Sequence, residues 1–249
     1  MPLVETDSLV LKSYSLAEAD RIVVLLTREH GVVRGVAKGA KRLKSRFGSG
    51  LEPFSEIRST YFQKDNLELV SIQSAELIRS NFAAASEPAF LEKFSYLGDL
   101  LVSFLPPHDP NETLYRMVRA SVETATAEPD SLDAIGLYFE LWLLRLAGFL
   151  PDWSRCDGCG RVLEPEEEAN VQANFHLLCS SCRRAVSRRV LTGPQRQIVT
   201  DAMRMAPAIF AASRPDVTFV RAISQILRDV ISSALGRDIA SDVPLSARR

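Results

Sequence analysis

The sequence predicts an α+β multidomain chain: a small N-terminal barrel of five strands, then an all-α domain with an inserted four-cysteine module. Three observations carry this expectation. Five short segments rich in β-branched and aromatic residues lie in the first 80 residues. Beyond residue 80 the apolar residues recur at helical spacing. All four cysteines fall between two helical stretches as a pair of C-x-x-C motifs. A length of 249 residues suits one large domain or two to three small ones, and 46% apolar with 24% charged residues excludes bulk disorder. The expected division is a barrel over 1–80, a helical domain in two parts over 81–155 and 185–240, the cysteine module over 156–184, and a frayed tail over 241–249.

The expected strands are Ser8 to Ser13, Arg21 to Arg28, Val32 to Lys38, Glu56 to Phe62 and Glu68 to Glu76. Glu29-His30-Gly31 is short enough to join the second and third as a hairpin, and Lys64-Asp65-Asn66 reads as another tight turn. Gly39 to Pro53, with Gly48 and Gly50 between them, reads as an irregular, mobile loop. Five short strands in this span suit a closed barrel of the OB type, which leaves no open sheet edge.

Phe90, Phe94, Leu97, Leu100, Leu101 and Phe104 mark a helix that Pro106-Pro107 stops. Leu114, Val118, Ser121 and Val122 mark a second, and Leu132 to Phe149 an apolar third that closes near Gly148 and Pro151. Thr192 and Gly193-Pro194 start a helix over Gln195 to Met205. An apolar stripe from Phe219 to Leu235 ends at Gly236. No apolar run is long enough to cross a bilayer, and the N-terminus lacks a basic start followed by an apolar core. A soluble, cytoplasmic protein is expected.

Cys156 and Cys159 form one C-x-x-C pair and Cys179 and Cys182 the other, with nineteen residues between. Each pair turns back so that both sulfurs face one point, and two such knuckles complete a tetrahedron around Zn2+. The expected site is structural and closed: four sulfurs, no open coordination position. His176 is a weaker candidate ligand. The stretch between the pairs is expected to form a hairpin with Glu164 to Glu168 at its exposed tip. Without an export signal, disulfides are disfavoured.

The formal net charge of −1 hides an uneven distribution: +2 over residues 1–80, −6 over 81–150 and +3 over 151–249. Arg34, Lys38, Lys41, Arg42, Lys44 and Arg46 place six cations in thirteen residues with no acid among them. A one-signed run between strands of an OB-type barrel fits a surface for nucleic-acid phosphates. A solvated charged loop is the bland alternative. Phe47, Phe54 and Tyr61 lie nearby as core residues or, for Phe47 above all, as platforms for bases. The chain lacks a P-loop, a G-x-S-x-G elbow and H-E-x-x-H, and its three histidines, His30, His108 and His176, enter no catalytic arrangement. A binding protein is expected, not an enzyme.

Glu18-Ala19-Asp20-Arg21-Ile22-Val23, Thr27-Arg28-Glu29-His30-Gly31, Arg34-Gly35-Val36-Ala37-Lys38-Gly39-Ala40-Lys41-Arg42, Ser45-Arg46-Phe47-Gly48 and Leu51-Glu52-Pro53-Phe54 together resemble the N-terminal domain of the bacterial RecO family. The order of parts matches as well. The resemblance implies a DNA repair and recombination mediator. Such proteins bind single- and double-stranded DNA and anneal complementary strands. With RecR they help load RecA onto DNA coated by single-strand-binding protein, and RecF is a further associated partner. Carried over, DNA binding falls on Arg34, Lys38, Lys41, Arg42, Lys44 and Arg46, with Arg21 as an outlying contributor; the metal role falls on Cys156, Cys159, Cys179 and Cys182. The family's helical domain is implicated in holding the acidic, apolar tail of single-strand-binding protein, for which Arg116, Arg119 and Arg145 are candidate cations. Composition alone leaves open an RNA-binding or translation-associated OB-fold protein with a zinc module.

Overall fold

The computed structural model describes residues 2–63, 69–183 and 189–236. The chain divides into two compact units, Met1–Thr126 and Ala127–Arg249.

The first unit opens with β1 (Leu3–Leu16), β2 (Asp20–Thr27), β3 (Gly31–Ala37), β4 (Glu56–Phe62) and β5 (Val70–Arg79). They close into a barrel in the order β1-β2-β3-β5-β4. The first strand is longer than its sequence pattern suggests because it serves two neighbours. Its first half pairs with β4 (Leu3 with Phe62 through Leu9 with Glu56), its second with β2 (Ser8 with Thr27 through Leu16 with Asp20). A register shift between Val10 and Lys12 bends the strand near this handover. Closure comes from a parallel pairing of β3 with β5 through Gly35–Val70 and Val36–Ser71. A side chain on Gly35 would put its Cβ 2.7 Å from Ile72 Cγ1, so the joint requires a residue without one. Val10, Val23, Leu25, Val33, Ile57, Tyr61 and Ile72 fill the interior. The turn expected at Lys64-Asp65-Asn66 lies outside the described residues.

The span from Gly39 to Pro53 holds neither helix nor strand, as expected of a loop. It is a succession of overlapping turns, with Arg42 N–H donating to Gly39 O, Ser45 to Arg42, Gly48 to Ser45 and Gly50 to Phe47, at 2.9–3.3 Å. Phe47 and Leu51 drop from these turns into the barrel core. Burying two large apolar side chains explains the order: each contributes about 2 kcal/mol that a free loop would forgo. The expectation that Phe47 offers a face to bases is therefore wrong. Phe47, Phe54 and Tyr61 are 2%, 3% and 0% exposed.

α1 (Phe82–Ala85), α2 (Pro88–Phe104) and α3 (Glu112–Ala127) follow. Phe90 and Phe94 of α2 meet the Phe54 ring edge-on at 5.8 and 5.4 Å, while Lys12 of β1 pairs with Asp99. The helices thus lie on the outside of the barrel. In the second unit, α4 (Leu132–Leu146) is the apolar centre against which α5 (Gly193–Arg204), α6 (Pro207–Ala212) and α7 (Val217–Leu235) pack. Trp142 Nε1–H of α4 donates to Ala202 O of α5 at 2.9 Å. The ends follow capping rules. Gln195 Oε1 accepts from Thr192 N–H at 2.9 Å, Asp216 Oδ1 accepts from Thr218 and Phe219 N–H, and Gly236 closes α7 at φ +64°. The short α1 and α6 carry too few residues to show a helical period.

Between α4 and α5 sits a three-stranded sheet in the order β7-β6-β8, built from β6 (Ala169–Val171), β7 (Leu177–Cys179) and β8 (Val190–Leu191). Its hairpin turns at residues 172–176. Glu164 to Glu168 is not the tip; it precedes β6 and abuts the start of α5. There Arg196 reaches the main-chain oxygens of Glu164, Glu167 and Leu163 at 2.8, 2.9 and 3.4 Å. Gly193 meets Pro165 O so closely that a Cβ would lie 2.4 Å away. The tail over 241–249 lies outside the described residues. Among the described residues no helix is long and apolar enough to cross a membrane.

Candidate functional site

Alternation along β3 sets the first part of the surface. Val33, Gly35 and Ala37 are buried, so Arg34 and Lys38 fall on the opposite, exposed face. The turns after β3 then carry Lys41, Arg42, Lys44 and Arg46, all exposed, above the buried root formed by Phe47. None of these six cations forms an ion pair among the described residues. Lys41 Nζ donates to Ala17 O at 2.9 Å, while Lys41 N–H is fixed to Ala19 O at 2.9 Å, which holds the segment against the β1–β2 turn. Arg46 lies over the Phe47 ring at 5.0 Å and donates to Ile72 O at 3.4 Å. Arg34, Lys38, Arg42 and Lys44 have no protein acceptor among the described residues. Arg21 differs: it is half-buried, 3.3 Å from Ser13 Oγ and 3.9 Å from Glu52 Oε1. Four to six unpaired cations on an ordered segment retain their charge for an external polyanion, since no neighbouring carboxylate competes.

The candidate cations on the helices are engaged differently. Arg119 lies 3.0 Å from the buried Glu56 carboxylate. Arg145 Nη1 is 3.5 Å from Leu150 O, at the end of its own helix.

The four cysteines converge as their spacing predicts. Sγ atoms of Cys156, Cys159, Cys179 and Cys182 all lie within 4.8 Å of one another, and no histidine joins the group among the described residues. A tetrahedral Zn–S4 centre needs sulfurs roughly 3.8 Å apart, so little closing movement is required. Main-chain turns build each knuckle: Gly160 N–H donates to Cys156 O at 2.8 Å and Cys182 N–H to Cys179 O at 3.2 Å. Cys179 N–H points at Cys156 Sγ, 3.3 Å away. Burial opposes ionisation of Cys156, yet N–H groups of Cys179, Cys159 and Gly158 outweigh it and bring the thiol down to about 6. Neighbouring sulfurs, Cys179 foremost, push the Cys182 thiol up to about 12. Thiolates this close repel unless a cation is shared between them, and the donor set fits a soft or borderline metal such as zinc. His176, the weaker candidate ligand, instead places Nδ1 3.3 Å from Asp157 Oδ1.

Two supporting groups had no sequence signal. Asp157 accepts Leu177 N–H at 2.6 Å and its own N–H donates to Leu177 O at 2.9 Å, which ties the first knuckle to β7. Trp153 Nε1–H donates to Phe175 O at 2.8 Å beneath the hairpin turn.

Comparison with known proteins matches both ends of the chain. Residues 1–81 fit the family model described as recombination protein O N terminal, and residues 94–242 fit recombination protein O C terminal. The chain belongs to the RecO family. Its relatives include the DNA repair protein RecO of Koribacter versatilis, 31% identical over 218 residues, spanning 86% of this chain and 85% of that one. That of Anaeromyxobacter sp. strain Fw109-5 is 31% identical over 183 residues, covering 72% and 70% of the two chains. That of Syntrophotalea carbinolica is 26% identical over 236 residues, covering 95% and 91%. The RecO resemblance read from residues 8–54 and the cysteines is thereby shown for both ends of the chain.

Proposed function

We propose that this RecO-family chain is a recombination mediator that binds single- and double-stranded DNA through Arg34, Lys38, Lys41, Arg42, Lys44 and Arg46, with Arg21 at the margin. The observation that carries the reading is six exposed cations on the barrel without an ion pair among the described residues. Such a surface neutralises phosphates without reading bases. Two complementary strands repel through their phosphates; a surface that replaces their counterions lowers that repulsion and favours annealing. In this reading the protein works in the cytoplasm at the nucleoid. With RecR, and with RecF as an associated partner, it helps RecA onto DNA coated by single-strand-binding protein. Its chemistry is binding, with no bond-breaking step. Zn2+ held by Cys156, Cys159, Cys179 and Cys182 braces the module between α4 and α5.

The test is strand annealing and DNA titration across a range of salt, comparing the parent with a variant in which Lys41, Arg42, Lys44 and Arg46 are alanine. Loss of four phosphate contacts should flatten the log–log salt slope on duplex DNA by about 3.6. Binding should weaken alike across unrelated sequences. A folded variant that binds and anneals like the parent would overturn the assignment.

A further inference from the structure

The cationic turns contain one residue whose chemistry does not suit phosphate. Leu43 is 105% exposed, whereas the other exposed large hydrophobic residues among the described ones range from 39% to 61%. Isolated surface leucines are common and by themselves need no explanation. This one has no cover at all, and its position is fixed. Ser45 N–H donates to Arg42 O at 2.9 Å, so Leu43 and Lys44 are the two central residues of a turn. The preceding bond from Arg42 N–H to Gly39 O, the Lys41–Ala19 bond and the buried Phe47 four residues on hold that turn from both sides. Arg42 and Lys44 flank the leucine, and neither has an acidic partner among the described residues.

We propose that Leu43 is an apolar wedge that the cationic turn drives between the bases of single-stranded DNA. The inference rests on the nucleic-acid reading above and adds a second kind of contact to it. Flanking cations call for a polyanion, and a bare leucine at a convex apex calls for an apolar gap in that polyanion. A strand with unpaired bases offers both: phosphates outside, and a step between stacked bases that an aliphatic side chain can enter. A paired duplex offers the phosphates but resists unstacking. The wedge therefore favours single strands over duplex without reading sequence, and it holds bases apart, ready to meet a complement. An acidic apolar peptide shares the charge and the greasiness, but docking one takes a groove, and a turn apex is a projection.

The experiment uses the full chain and its Leu43→Ser and Leu43→Phe variants. The probes are an oligonucleotide carrying 2-aminopurine, whose fluorescence rises on unstacking, and the same oligonucleotide fully paired. The parent should raise the fluorescence of the single strand. Leu43→Ser should lose that rise and bind the single strand about fivefold more weakly, roughly the value of one partly buried leucine. Its salt slope and its duplex affinity should stay those of the parent. Leu43→Phe should keep the rise. If Leu43→Ser unstacks and binds like the parent, the wedge is rejected while the cationic surface stands. Rejection also follows if Leu43→Ser loses affinity only for an acidic apolar peptide. A parent with no salt-dependent DNA binding would remove both readings together.

Discussion

Glu56 stands on β4 with its side chain 7% exposed, facing Arg119 at 3.0 Å and Arg79 at 3.9 Å. Arg79 in turn bonds Glu123 of α3 at 2.6 Å. Taking a carboxylate so far out of water is costly unless a cation is held against it. Arg119→Met should therefore cost about 2 kcal/mol, read as a shift in the urea midpoint, because it leaves the anion to the more distant Arg79 alone. Adding Glu56→Gln should restore part of that loss, and a double-mutant cycle measures how much. Nothing in the sequence pattern marks Glu56, since its burial depends on a helix more than fifty residues later. The same holds for Phe47. A phenylalanine beside an arginine in a glycine-rich stretch reads as exposed, and only the closed barrel end provides the hole it fills.

At the scale of elements, the C-x-x-C spacing makes the metal site legible, because two short turns suffice to aim four sulfurs. The hairpin tip was misplaced for a different reason. Glu164 to Glu168 looks solvent-bound by composition, yet its main-chain oxygens are what Arg196 needs, and Arg196 is 9% exposed. Backbone acceptors leave no trace in a sequence. Each purified chain should carry one zinc by mass spectrometry of the metal. Apparent zinc binding energies in small modules are about 10–16 kcal/mol, so chelation should unfold the β6–β7 hairpin, seen as loss of amide protection over 156–182. Because Arg196 and Gly193 join that module to α5, the helix should lose protection next, ahead of α7. A chain that holds well under one zinc and keeps the hairpin protected would exclude the site.

For the molecule as a whole, three carboxylates are held below their ordinary 4.5: Glu112 by the Arg28 hydrogen bond, Glu123 by that of Arg79 and Glu167 by that of Arg161. Each titrates lower when folded than when unfolded. As the pH falls, the unfolded chain takes up protons first, and stability drains away. The contribution is complete above about pH 5 and is lost as the pH drops below 4.5 through the lowered values. Denaturant midpoints should hold level from pH 7 to 5 and then fall. A midpoint unchanged down to pH 3 would show that these pairs do not persist in solution. The fold class was readable at this scale because periodicity switches from strand to helix near residue 80, and the later strands fall at the cysteine module that interrupts the helices. The packing of α2 on the barrel was not, since it depends on the outer face of β1, which a strand pattern does not assign to a partner.

Among the described residues, two register pairs join β3 to β5. If that weld parted, the cylinder would become a curved ribbon with two raw rims, each free to recruit a sixth strand from another copy. Gly35, by letting the strands lie close, keeps those rims joined to each other.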